Sequence, residues 1–93
     1  MPKLIFTESY EKRAKKFIKK HPELKSQYTK TLKLLELNPY HPSLRLHPLS
    51  GKLLGLHSVS INISYRISLE VQITEDSIIP INVGDHDDVY GKN

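Results

Sequence analysis

Four side chains in the second half of the chain could transfer protons and stabilise negative charge: His47, Arg66, His86 and Tyr90. Histidine titrates near neutral pH and can act as acid or base, and the planar fork of donors on arginine suits a phosphate. The tyrosine could act as an acid, a base or a stacking surface. RNA carries its own nucleophile, the 2′-hydroxyl, so these groups would be sufficient for metal-free cleavage of a phosphodiester.

Each of these residues also has a structural explanation. Arg66 could lie on a solvated sheet face and pair with Glu70 two residues along the strand. His47 could be an ordinary loop residue, His86 an exposed tail residue, and Tyr90 an aromatic plug on a sheet edge. Catalysis is favoured only if the fold brings these side chains to one surface.

The motifs argue against other kinds of active site. The sequence has no His-Glu-x-x-His or His-x-His pattern, and the acidic run from Asp85 to Asp88 is typical of a solvated tail. The glycine pattern of a serine-hydrolase nucleophile elbow is also missing. We therefore expect no metal site and no small-molecule cofactor.

The long alternating run from Val59 to Thr74 organises the predicted fold. Its strict period of two predicts strand with one buried and one polar face. A single strand of that length would exceed the width of a small domain, roughly 30 to 35 Å, so the run must turn, most favourably near Asn62. A loop with an odd number of residues keeps the odd positions in the core and Arg66 on the opposite face, whereas a two-residue loop would swap the faces of one strand.

The spacing of apolar residues, together with capping residues and prolines, predicts the helices and strands around this run. Lys3–Phe6 is predicted as an entry strand, Thr7 as the N-cap of a first helix, and Pro22 as the first residue of a second helix. Residues 53–56 are expected to begin the sheet, and residues 78–83 to form the last strand. Pro80 in that strand indicates either that its nitrogen points away from a partner strand or that the strand bulges there. The order β-αα-βββ predicts an α+β domain, with the N-terminal strand and a helical hairpin packed on one face of a twisted, mainly antiparallel sheet.

Composition narrows the class of protein. The 93 residues are expected to form one domain spanning residues 1–93, and the absence of cysteine fits the cytoplasm. No apolar run approaches membrane-spanning length. Residues 1–37 carry ten Lys or Arg against four acids, a net charge of +6. This predicts a polyanionic partner, with Lys12 and Lys16 as RNA-binding residues, although a solvated lysine-rich helix is the simpler explanation.

The sheet face that the helices leave free is the expected site. Arg66 should lie at its centre, and flanking loops should bring His47, Lys52 and the segment from Asp85 to Tyr90 to its edge. Such a surface would bind and cleave RNA. We predict that Lys52 and Asp85 contribute to RNA binding there.

The segment SLRLHPLSGKLLGLHSVSINISYRISLEV, residues 43–71, and the ending INVGDHDDVY resemble the RelE/ParE toxin superfamily of bacterial type II toxin–antitoxin systems. The pattern RLHPLSG, GLHSVSIN and YRI is similar to the HigB branch, and the ending is similar to RelE and YafQ-like members. The resemblance implies a metal-independent endoribonuclease that cuts mRNA in the ribosomal A site and is silenced by a cognate antitoxin.

The same resemblance implies a role for each candidate residue. His47 would be a catalytic or substrate-positioning histidine, Arg66 the phosphate-stabilising arginine and His86 the second acid/base histidine. Tyr90 would contact the base or assist proton transfer, with Asp85 beside the second histidine.

Two other functions stay open, and a departure from the pattern favours one of them. HigB-like proteins carry lysine where Ser50 stands, and Lys52 is the nearest substitute. The fold also serves ParE-like toxins, which bind DNA gyrase without nuclease activity. A catalytically weak RNA-binding remnant is the third possibility.

Overall fold

The computed structural model describes residues 1–91, which contain five strands and three α-helices. The sheet order is β1-β5-β4-β3-β2, with β1 parallel to β5 and the other neighbours antiparallel. Within residues 1–91, no helix is long and apolar enough to cross a membrane. The bounds are β1 (Lys3–Leu4), α1 (Glu8–Lys20), α2 (Lys25–Leu37), β2 (His47–Pro48), β3 (His57–Ser60), β4 (Arg66–Gln72), β5 (Ser77–Gly84) and α3 (His86–Tyr90).

The two long helices begin much as the sequence predicts. Thr7 caps α1, since its hydroxyl oxygen accepts a hydrogen bond from the backbone N–H of Tyr10 at 3.1 Å. Pro22 begins a single 3₁₀ turn, Pro22–Leu24, and α2 starts only at Lys25. The backbone bonds explain the shift, because the N–H groups of Leu24 and Lys25 each reach back three residues instead of four.

The core lies between the helical hairpin and one face of the sheet. Side chains that recur along both helices meet alternating side chains of three strands, and each fully buried aliphatic group contributes about 1.5 to 3 kcal/mol. The buried members are Tyr10, Phe17, Leu24, Tyr28, Leu35, Leu44, Val59, Ile67, Leu69, Ile78 and Val83.

A buried tyrosine pair links the two helices inside this core. The hydroxyl oxygens of Tyr10 and Tyr28 lie 2.7 Å apart. Burial raises the pKa of both hydroxyls above the ordinary tyrosine value, so both stay protonated at neutral pH. Each hydroxyl therefore depends on the other for a hydrogen bond.

We expect Tyr10→Phe to lower the free energy of unfolding by about 1 to 3 kcal/mol, because it leaves the buried hydroxyl of Tyr28 without its partner. Urea denaturation would show a lower midpoint with an unchanged slope. Tyr40→Phe, at an exposed position, is the control and should leave the midpoint unchanged. A Tyr10→Phe midpoint equal to the wild-type midpoint would contradict this prediction.

The turn between β3 and β4 has an odd number of residues, so the odd-numbered positions of both strands face the core. Ser60 pairs with Arg66 across it, so five residues, 61–65, lie between the paired positions. Asn62 builds the turn, because its side-chain oxygen accepts hydrogen bonds from the N–H groups of Ser64 and Tyr65. The predicted placement of Arg66 on the face opposite the core is confirmed.

Two odd-numbered positions of the alternating run are not in the core. Ile63 and Ile73 are almost fully exposed, so the expectation that every odd position is buried is wrong there. Both lie in turns, where the backbone no longer alternates between faces. The alternation holds within the strands themselves.

A bulge in β5 changes which side chains of that strand face the core. Ser68 pairs with Asn82 and Leu69 pairs with Pro80, so Ile81 is the extra residue. Of the two alternatives for Pro80, the bulge is the one observed, although Pro80 itself is paired and the extra residue is its neighbour Ile81. The buried core position is even-numbered before the bulge, at Ile78, and odd-numbered after it, at Val83. Asn82 therefore faces away from the core, where its side chain donates a hydrogen bond to the carbonyl of Asp88 in α3.

The expected start of the sheet at residues 53–56 is wrong. The edge strand β2 comes earlier, at His47–Pro48, and pairs with β3. The segment Gly51–Leu53 forms a 3₁₀ turn, and Leu54 is exposed. The reason is the bond from the N–H of Leu49 to the carbonyl of Leu56 at 2.8 Å, which makes the intervening residues a loop between paired strands.

Candidate functional site

Three neighbouring strands present polar side chains on the face opposite the core. His47 of β2 pairs with Ser58 of β3, and Arg66 begins β4 opposite Ser60. Because side chains alternate along a strand, these residues share one face of the sheet. The sequence predicted that His47 lies in a loop. The structure places it in the edge strand β2 instead.

The predicted tail from Asp85 to Tyr90 forms the helix α3 together with its N-cap residue, Asp85. A carboxylate oxygen of Asp85 accepts a hydrogen bond from the N–H of Asp88, and Asp88 accepts one from the N–H of Asp85. Asn82 donates to the carbonyl of Asp88, and Val89 is buried. These contacts place Tyr90 above the sheet face.

The cap makes the carboxylate of Asp85 easier to ionise. The hydrogen bond from the backbone N–H of Asp88 is the main reason that the pKa of Asp85 is lowered. The ionised form therefore stabilises the folded chain above the ordinary aspartate pKa. That contribution is lost as the pH falls through the lower folded-state pKa.

Arg66 is fixed by two hydrogen bonds and keeps donors free. Its Nε donates to the hydroxyl of Ser58 at 2.7 Å, and one terminal nitrogen donates to the carbonyl of Arg45 at 3.1 Å. A guanidinium has five N–H donors. That terminal nitrogen, Nη2, also lies 3.2 Å from Nδ1 of His47, so among residues 1–91 both hydrogens of Nη1 remain for a ligand. The sequence had left open a pairing with Glu70, but within residues 1–91 no ion pair joins the two side chains.

Arg45 supplies that carbonyl from an unusual backbone conformation. Its φ is 48° and its ψ is 48°, the left-handed region that most side chains avoid. The same carbonyl lies 3.2 Å from Nδ1 of His47. The strained turn therefore holds the acceptor that both side chains share.

Tyr90 joins the other members of the site. Its hydroxyl lies 2.9 Å from the hydroxyl of Ser58 and 3.1 Å from Nε2 of His47. The ring of His86 lies against the ring of Tyr90, with centroids 4.3 Å apart. The side chain of His86 is 78% exposed and lies 4.0 Å from a carboxylate oxygen of Asp87. The structure thus brings together all four residues singled out as catalytic in the sequence.

The predicted RNA-binding residues are more dispersed. Lys52 lines the cleft of about 730 Å³ beside His47 and Tyr90. Lys16 lines a second cleft of about 370 Å³, and Arg13 borders both clefts. Lys12 borders neither cleft, and its ammonium lies 3.7 Å from Glu8. Asp85 borders neither cleft either, since its carboxylate serves as the helix cap.

Sequence reasoning missed Ser58, which is completely buried and touches both Arg66 and Tyr90. The only signal was its even position on the strand, which it shares with several other serines. It also missed Arg13, whose side chain donates to the carbonyl of Ile81 at 3.3 Å. Among residues 1–91, no three histidine, cysteine or acidic side chains are arranged to hold a metal ion.

Sequence comparisons find no relative, whereas structural comparisons find clear ones. No protein-family model matches the chain, and no curated protein matches it either. YafQ from E. coli strain BL21(DE3) superposes with a TM-score of 0.74, at 14% identity over 92% of this chain and 94% of YafQ. The YoeB/ParE toxin from Agrobacterium tumefaciens gives 0.72, at 18% identity over 90% and 98%.

A third neighbour was solved together with another protein. The YoeB–YefM complex from Staphylococcus aureus gives a TM-score of 0.69, at 18% identity over 92% of this chain and 98% of that chain. Coverage is nearly complete in all three cases, so the shared architecture extends over the whole domain. The chain therefore has the fold of YafQ and YoeB, and the α+β architecture implied by the resemblance to the RelE/ParE superfamily is confirmed.

Proposed function

We propose that the chain is the toxin of a type II toxin–antitoxin system and acts in the cytoplasm as a metal-independent endoribonuclease on mRNA, on the ribosome. The observation that carries the proposal is the convergence of His47, Arg66 and Tyr90, which hydrogen bonds through Ser58 and the carbonyl of Arg45 join into one group. His47 and Tyr90 line an open cleft. A gyrase binder of the same fold would need no such set of proton-transfer groups.

The chemistry starts from the 2′-hydroxyl of the RNA. A group of the His47 and Tyr90 pair accepts its proton while the 2′-oxygen bonds to phosphorus. The bond from phosphorus to the 5′-oxygen then breaks, which leaves a 2′,3′-cyclic phosphate. The free hydrogens on Nη1 of Arg66 would stabilise the charge on the phosphoryl oxygens, and His86 would protonate the leaving oxygen.

Substrate binding would rely on charge along α1 as well as on the cleft. Arg13 borders both clefts and therefore connects the reacting centre to Lys16. Lys52 also lines the larger cleft. We propose that the RNA backbone runs along this path, with phosphates near the cations.

The partner would be a protein antitoxin. YoeB is seen in complex with YefM, and the basic first third of this chain suits an acidic segment that folds on binding. We propose that such a segment covers Arg66 and α3. A complex saturated with antitoxin should be inactive, whereas full cleavage by that complex would contradict this arrangement.

Cell-free translation with purified protein tests the function directly. Mapping the 5′ ends of the mRNA, with and without active ribosomes, should reveal cuts on translated message only. Cuts on free RNA would support the nuclease but not its dependence on the ribosome. If no cuts appear, a gyrase supercoiling assay tests the ParE-like alternative, and salt-dependent RNA binding without cleavage would identify a weak remnant.

We expect Lys16→Ala to weaken RNA binding without a change in the chemical step. Removing one phosphate contact should reduce the slope of log K against log salt by about 0.7 for single-stranded RNA. Titrations at several salt concentrations measure that slope. Lys3→Ala, on β1 outside both clefts, is the control, and equal slopes for the two variants would remove Lys16 from the RNA path.

We expect Gly84→Ala to reduce cleavage roughly 10-fold or more through α3, since 1 Å displacements near a site can cost about 100-fold. A Cβ at Gly84 would lie 2.5 Å from the Cβ of Asp88 and 2.8 Å from its Cγ. Asp88 must then move, and the reciprocal caps that place Tyr90 break. The variant should keep its sheet by circular dichroism, and wild-type activity in the folded variant would refute the prediction.

A further inference from the structure

We infer that Ser58 is a positioning residue that sets the direction of the hydrogen bonds at the site, so that His47 presents an unprotonated Nε2 to the hydroxyl of Tyr90. The direction follows from the contacts alone, and its catalytic consequence rests on the proposed ribonuclease function.

The hydrogen bond between Arg66 and Ser58 has a fixed direction. Nε of Arg66 carries a hydrogen and has no lone pair to accept with, so the hydroxyl of Ser58 must be the acceptor at 2.7 Å. Ser58 is completely buried, so water does not reach its own hydrogen. Within residues 1–91, the hydroxyl of Tyr90 at 2.9 Å is the remaining partner for that hydrogen.

The remaining bonds follow in turn. A Tyr90 oxygen that accepts from Ser58 can send its own hydrogen to Nε2 of His47 at 3.1 Å. Nδ1 of His47 then carries the ring hydrogen and donates it to the carbonyl of Arg45 at 3.2 Å. That carbonyl has two lone pairs and also accepts from Arg66 at 3.1 Å. Each donor in this series of hydrogen bonds then has an acceptor.

The opposite direction leaves one donor unsatisfied. There Nδ1 of His47 would accept from Arg66 at 3.2 Å, and Tyr90 would donate to Ser58. The hydroxyl hydrogen of Ser58 would then be buried without an acceptor, which is the costly case for a polar group. The first direction is therefore favoured, and the 3.2 Å approach of Arg66 to His47 is a contact without a hydrogen bond.

This direction gives the two aromatic groups distinct roles. In the proposed reaction, the 2′-hydroxyl passes its proton to the oxygen of Tyr90, and Tyr90 passes its own hydrogen to Nε2 of His47. The imidazole becomes an imidazolium, and the 2′-oxygen bonds to phosphorus as the 5′-oxygen departs with a proton from His86. His47 and Tyr90 together are the base, and Ser58 acts only through them and Arg66.

The test is the tautomer of His47, read from imidazole ¹⁵N shifts in protein labelled at histidine and assigned with His47→Gln. We expect the Nδ1–H form in the wild type and a mixture with the Nε2–H form in Ser58→Ala. Ser68→Ala is the matched control, because Ser68 is a buried serine paired with Ser58 on the next strand. It should keep the wild-type spectrum. An Nε2–H wild type, or equal shifts in both alanine variants, would overturn the inference.

A double-mutant cycle gives the catalytic reading. Ser58→Ala should lower kcat roughly 10- to 100-fold with little change in KM, and its effect should shrink in a Tyr90→Phe background because the two share one pathway. Independent, additive effects would contradict a role through Tyr90. If Ser58→Ala does not fold, Ser58→Cys retains the volume and weakens the acceptor. The expected tautomer in a protein that cuts no RNA would refute the proposed function and leave the positioning role intact.

Discussion

Arg66→Ala should lower the rate of RNA cleavage roughly 100- to 1,000-fold, equivalent to about 2.7 to 4 kcal/mol of lost transition-state stabilisation. The alanine removes the charge of the guanidinium and the Nη1 donors that remain free for the phosphoryl oxygens. It removes nothing from the hydrophobic core, because the side chain lies on the opposite face. The loss should therefore appear in kcat, with thermal unfolding little changed.

Arg66→Lys is the informative companion to this variant. Lysine keeps the charge, but its ammonium cannot place one donor on Ser58 and others on a phosphate in the same plane. We expect activity between that of the alanine variant and the wild type. If Arg66→Ala cut RNA at the wild-type rate while correctly folded, the guanidinium would have no part in the mechanism.

His86→Ala should lower kcat roughly 100- to 10,000-fold, because it removes the group that protonates the leaving 5′-oxygen. The side chain is 78% exposed, and its ring lies against the ring of Tyr90. The position is open enough for free imidazole to enter. Added imidazole should therefore restore part of the activity of His86→Ala.

Rescue separates a chemical role from a structural one. If His86 merely supports the ring of Tyr90, then His86→Phe should restore activity and imidazole should not. Retained cleavage by the alanine variant would instead leave the protonation of the leaving group to another residue.

The parts of the fold that follow local rules were predictable. The Thr7 cap, the alternation in β3 and β4, and the odd turn at Asn62 each depend on residues close in sequence. The face of Arg66 followed from them by parity alone. The two-residue strand β2 and the five-residue α3 are too short to show a period, and they exist because they pair with elements already in place.

Some residues of the site were also predictable from the sequence, and others were not. Arg66, His47, His86 and Tyr90 could be proposed from their chemistry, because charge and titration are properties of a single side chain. The role of Ser58 could not, since a serine becomes informative only when two partners 8 and 32 positions away meet its hydroxyl. The carbonyl of Arg45 carries no signal in the sequence at all.

The brevity of α3 has a consequence for how activity is maintained. Five residues cannot sustain a helix in water, so α3 should open and close many times before the sheet unfolds. Its amide hydrogens should exchange with solvent far faster than those of β4. Only molecules with α3 closed hold Tyr90 against His47, so the measured turnover is scaled by the closed fraction. A ligand that shifts this opening equilibrium would regulate the protein without touching Arg66.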